Sequence, residues 1–145
     1  MIKELIKDKE LLKQRSTYAT KADLNVIQDL IDTAEALGLT HLSAPQIGIF
    51  KKIAIMYIDK WKRWEIIVNP LRIKDLQSFR WKNDECPNCG ITKMRVPESA
   101  VYIVMQDKDM RAVKRMFYHK YGYRYFHIES HFRGDCIGGE NNGGN

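Results

Sequence analysis

After Gly38 the apolar residues of this 145-residue chain stop recurring at helical spacing and take up the two-residue alternation of strands. Before that point Leu24, Ile27, Leu30, Ile31, Ala34 and Leu37 form one stripe, which predicts a helix over 22–37 that Gly38 stops. Ile2, Leu5, Ile6 and Leu12 share the spacing and predict a shorter helix over 2–14. Segments 52–58, 64–68, 91–96, 101–106 and 112–117 are rich in β-branched and aromatic residues and read as strands, punctuated by Asn69-Pro70 and Pro97. A last helix is predicted over 123–133, between Gly122 and Gly134. Strands grouped between leading helices and one late helix lack the alternation of a parallel sheet. The expected fold is α+β, with mainly antiparallel sheets around a C-terminal helix. Residues 1–137 make a single domain, and the Gly/Asn-rich stretch 138–145 is expected to be a flexible tail.

Charge and cysteine usage narrow the setting. Lys and Arg number 24 against 18 Asp and Glu, a net charge of +6, concentrated in 3–21, 51–63 and 108–120. Such a surface suits contact with ribosomes or RNA. No nucleic-acid-binding motif accompanies it, and a solvated basic surface is the simpler reading. No apolar run approaches the ~20 residues a membrane span needs, and residues 1–7 lack the apolar core of a signal peptide. Three cysteines are too few for a secreted disulfide scaffold, so the expected location is the reducing cytoplasm.

The chemistry concentrates in the last predicted helix. His127 and His131 are four residues apart, about 400° of helix rotation, so their imidazoles emerge one turn apart on one face. A thiolate from Cys86 would complete a three-ligand metal site with a fourth position for water, as metal-assisted hydrolysis needs. Cys89 opens a second reading. Cys86 and Cys89 form a C-x2-C pair, and with the two histidines they compose a Cys2His2 set that would close the site around a structural zinc. Cys136, just past the helix, is expected to be a bystander thiol, and His41 either a loop histidine or an extra donor over the metal.

Three stretches carry a family resemblance. Leu42-Ser43-Ala44-Pro45-Gln46-Ile47-Gly48 resembles the first motif of the peptide deformylases, G-x-G-x-A-A-P-Q. Asp84-Glu85-Cys86-Pro87-Asn88 falls where their E-G-C-L-S lies, and His127 to His131, continued by Phe132-Arg133-Gly134, falls on their histidine motif. Val68-Asn69-Pro70 matches a short N-P turn of the family. The order holds over nearly the whole chain, with 40 residues from Gln46 to Cys86 and 41 from Cys86 to His127. The resemblance implies one divalent metal ion, Fe(II), zinc or nickel, on Cys86, His127 and His131. It implies that Gln46 holds the formyl oxygen, that a glutamate moves the proton, and that the substrate is an N-formylmethionyl nascent peptide. Its ordered pattern ends near Ile137, so the chain resembles the short forms encoded by some phages and expressed in a bacterial host.

Four departures from that pattern bear on the chemistry. The family's general base falls on Ile128, whose side chain cannot carry a proton; loss of such a base costs roughly 10²–10⁴-fold in rate. Glu129, the nearest candidate for that role, lies about 200° round the helix from His127. Pro87 removes a backbone N–H that would face the formyl oxygen, a loss of roughly 3 kcal/mol in the transition state. Leu39 and His41 replace the two glycines of the first motif, crowding the rim where substrate would lie beside Glu85 and Pro87. Glu98 stands where an arginine is usual.

Overall fold

The structure is a computed structural model that describes residues 1–76, 79–97 and 100–136. Glu98 and the tail 138–145 lie outside the described residues. Among the described residues the α-helices and strands are, in chain order, α1 (Val26–Leu37), β1 (His41–Ser43), β2 (Ile53–Ile58), β3 (Arg63–Leu76), β4 (Phe79–Cys86), β5 (Gly90–Pro97), β6 (Ala100–Gln106), β7 (Ala112–Tyr118) and α2 (Lys120–Arg133). The fold is α+β, as expected. Five strands form an antiparallel sheet in the order β1-β2-β3-β6-β7, and β4 and β5 form a separate hairpin. Among the described residues, no helix is long and apolar enough to cross a membrane.

Burial on both faces of the sheet explains why β2 reads as a continuous apolar run rather than an alternating one. Ala54, Met56 and Ile58 point to α2 and pack with Tyr125, Phe126, Ile128 and Phe132. Ile53 and Ile55 point the other way, joining Val26, Leu30 and Ala34 of α1. One face therefore fixes the first helix and the other positions the helix that bears the histidines. Helix α1 ends at Gly38 in the left-handed conformation that glycine adopts without strain.

Three expectations need correction. Residues 2–14 form no α-helix; a single short turn spans Leu11–Lys13. The arm instead spends backbone groups on tertiary partners, with Lys3 N–H on Thr33 Oγ1 and Ile6 N–H on the Gln46 carbonyl. A helix this short is marginal by itself, so those partners win. Second, Asn69-Pro70 does not end a strand. β3 runs through it with a shift of register between Val68 and Leu71, Asn69 taking φ 49° while its side chain holds both backbone groups of Ala19. Third, α2 starts three residues earlier than predicted, at Lys120, with Gly122 buried inside its first turn.

The end of α2 is tightly specified. Gly134 has φ 73°, and a β-carbon there would sit 2.2 Å from the carbonyl oxygen of Lys13. Gly38 has a similar φ of 68° but open space around it. Gly134→Ala should therefore lower stability by about 2–4 kcal/mol, from left-handed strain plus the clash. Gly38→Ala should cost about 1 kcal/mol, from strain alone. Urea unfolding of the two variants checks this, and equal losses would refute the role given to the Lys13 contact.

Candidate metal centre

Helix α2 lies between the five-stranded sheet and strand β5, so its histidine face is enclosed. His127 and His131 are buried, as are Cys86 at the end of β4 and Cys136 beyond the turn at Gly134. One ligand atom from each of these four residues falls within 4.8 Å of those of the other three. The structure thus brings together the three ligands expected from sequence. The fourth member of the cluster is Cys136, not Cys89, which corrects its expected role as a bystander. Cys89 sits in the turn between β4 and β5 and is not a member of that four-residue group.

Hydrogen bonds order the imidazoles. His127 Nδ1 lies 2.7 Å from His41 Nε2, and His41 Nδ1 lies 3.0 Å from Thr40 Oγ1. If each ring donates outward, from His127 to His41 and from His41 to Thr40, Nε2 of His127 keeps a lone pair to offer; this tautomer is assigned from the contacts. His41 is therefore neither a bystander nor a direct ligand here, but the group that orients His127. His131 places Nε2 3.3 Å from Cys86 Sγ, while its buried Nδ1 has no hydrogen-bond partner. Burial holds His41 and His131 below the usual imidazole range, so both are neutral. The Cys86 thiol is driven strongly down by hydrogen bonds from Cys136 and Cys89, whereas the same contact with Cys86 drives Cys136 up. Two sulfurs and two imidazoles, with no carboxylate among them, suit a divalent transition-metal ion.

The remaining predicted site residues divide into two groups. His41, Glu85 and Pro87 line one cleft of about 380 Å³ together with His127, Lys120 and Arg124. Glu129 is on the other side of α2, in a second cleft with Arg72 and Arg133, to both of which it is ion-paired. Ile128, between the histidines, is fully buried in the apolar core. Gln46 is buried, and its amide is used internally. Its Oε1 accepts from the N–H and hydroxyl of Ser43, and its Nε2 donates to Asn88 Oδ1 at 2.9 Å.

Asn88 is a residue that sequence reasoning passed over. Its Nδ2 donates to the carbonyls of Ile6 and Gln46, so this one side chain ties the turn after Cys86 to the N-terminal arm and the Gln46 loop. The signal was faint: an asparagine in a tight turn is ordinary, and its three partners come from segments more than 40 residues away.

Comparison with known proteins identifies the architecture. A sequence profile described as polypeptide deformylase matches residues 2–125. A peptide deformylase of Clostridium beijerinckii is 30% identical over 140 residues, covering 94% of this chain and all of the relative. The chain belongs to the polypeptide deformylase family. The profile match ends at Tyr125, two residues before His127, in keeping with the altered histidine motif. Among solved structures, the peptide deformylase of Legionella pneumophila superposes with a TM-score of 0.82 at 21% identity, covering 92% of this chain and 82% of that one. That of Thermotoga maritima gives 0.80 at 18% identity, covering 92% and 93%. A structure from Acinetobacter baumannii, bound to Met-Ala-Ser, gives 0.83 at 15% identity, covering 97% and 98%. This deformylase fold with its buried Cys/His cluster is compatible with a metalloprotein.

With Glu129 held by two arginines on the far side of α2, Glu129→Ala should leave metal content unchanged. It should reduce stability by about 1–2 kcal/mol, since the carboxylate is mostly buried but Arg133 is half exposed. Elemental analysis and urea unfolding check both parts, and a loss of metal would place Glu129 at the site after all.

Proposed function

We propose that this chain is a metal-holding deformylase homologue that binds the amino end of methionyl peptides while its capacity to hydrolyse formylmethionyl peptides is largely lost. The observation that carries this reading is the helix between the histidines. Ile128 is buried in the core where a proton carrier would be needed, and the neighbouring carboxylate, Glu129, is paired with Arg72 and Arg133 across the helix. Cys86, His127 and His131 would hold the ion, zinc, Fe(II) or nickel, which when bound supplies Lewis acidity for amide hydrolysis. The cleft with His41, Glu85 and Pro87 opens beside His127, and Met-Ala-Ser in the Acinetobacter relative supports a methionyl peptide as its ligand. The exposed Glu85 carboxylate suits an amino terminus from which formyl has already gone. Pro87 offers no N–H to a formyl oxygen, and the Gln46 amide is shared with Ser43 and Asn88. The basic surface and sparse thiols fit work near ribosomal RNA in the cytoplasm, where nascent chains emerge.

A second reading, retained hydrolysis, is favoured by one observation: the three family ligands are assembled with a cleft leading to them. Formate release from formyl-Met-Ala-Ser by protein loaded with Fe(II) or Ni(II) separates the two. The expected rate is at least ~100-fold below that of the Thermotoga maritima deformylase run alongside, the scale set by a missing general base. Turnover within ten-fold of that enzyme would overturn the proposal.

A further inference from the structure

Cys136 has no place in the three-ligand arrangement, yet its thiol lies within 4.8 Å of a donor atom of each of those three residues. We propose that Cys136 is a fourth protein ligand, closing the site as Cys86, Cys136, His127 and His131 around one metal ion. The inference rests on the metal-holding reading above and specifies its coordination.

Three observations carry it. The first is distance. A tetrahedral zinc with Zn–S of about 2.3 Å and Zn–N of about 2.0 Å has ligand-to-ligand edges of about 3.3–3.8 Å. Cys86 Sγ and His131 Nε2 already stand 3.3 Å apart, and the whole set lies within 4.8 Å. Modest contraction brings all four donors onto one ion. The second is enclosure. All four residues are 3% exposed or less, so the cluster is shielded from the solvent that an open catalytic position requires. The third is the backbone that delivers Cys136. Asp135 N–H bonds back to the Ser130 carbonyl, Ser16 N–H bonds the Phe132 carbonyl, and Gly134 lies against Lys13 so closely that no side chain fits. The turn leading to Cys136 is thereby held on both sides, which preorganises the thiol beside the histidine face. Cys89 has a different job in this arrangement. It stays in the hairpin turn, outside the four-donor set.

Closure accounts for the departures found elsewhere in the chain. An ion with four protein ligands has no vacancy for a hydrolytic reaction, so neither a proton carrier at position 128 nor an N–H at position 87 has a task. The ion then joins the end of β4 to both ends of the histidine turn and to the segment after α2, tying the hairpin to the rest of the domain.

X-ray absorption of the zinc-loaded full chain tests this by counting sulfur neighbours. The chain has only three cysteines, so the counts assign ligands directly. Expected are two sulfurs in the unaltered protein, two in Cys89→Ser and one in Cys136→Ser. If Cys136→Ser fails to fold, two sulfurs in Cys89→Ser still assign Cys86 and Cys136. One sulfur in the unaltered protein, or one in Cys89→Ser, overturns the proposal while leaving metal binding intact. Failure of the unaltered protein to retain zinc overturns the metal-holding reading itself.

Discussion

Helix α2 is buried on nearly every side, and a helix so placed must satisfy its polar side chains inside the protein. Tyr125, Phe126, Ile128 and Phe132 solve this by being apolar or nearly so, and they fill the space beneath the sheet. His127 and His131 cannot. An unserved buried ring nitrogen costs about 1–3 kcal/mol, and the structure serves one nitrogen of each ring, His127 Nδ1 with the His41 ring and His131 Nε2 with the Cys86 sulfur. The rest of the architecture follows from this need. The β4–β5 hairpin brings Cys86 over the helix, Asn88 pins that hairpin to the Gln46 loop, and the turn at Gly134 returns Cys136 to the same spot.

The same burial separates holding a metal from using it. The two faces of α2 divide its titratable groups, with the histidines turned to the thiols and Glu129 turned to Arg72 and Arg133. His41, standing where the family has glycine, supports a ligand histidine at the expense of room on the rim.

Much of this was legible in the chain. The β2 run and its neighbours announced strands because β-branched residues fit a pleated, buried surface. The α1 stripe and Gly38 marked a helix and its stop. The histidine pair was identifiable from spacing, since four residues along a helix stack two side chains wherever the helix is placed, and Cys86 from its place in the order of the family's motifs. Other features were invisible because they depend on partners distant in sequence. The arm at residues 2–14 has helical spacing, but Thr33 and Gln46 claim its backbone, and nothing local reports that competition. Asn69 looked like a strand end, while the structure uses its tolerance of a left-handed backbone to carry the strand through a bulge.

The contrast is sharpest in the cysteines. The order of the family's motifs pointed to Cys86; sequence by itself determined that two histidines share a helix face and that Ile128 puts no proton carrier beside His127. These are consequences of local geometry and residue chemistry. Only the tertiary structure decided which second cysteine joins them. Cys89 is three residues from Cys86 and looks like its partner, but the hairpin turn sets it beside the sulfurs rather than among the four donors. Cys136 is 50 residues from Cys86 in the chain and reaches the cluster because Gly134, packed on the Lys13 carbonyl, folds the end of α2 back on itself. Proximity along the chain is no guide here, since it is the packing of the helix end that places the thiol.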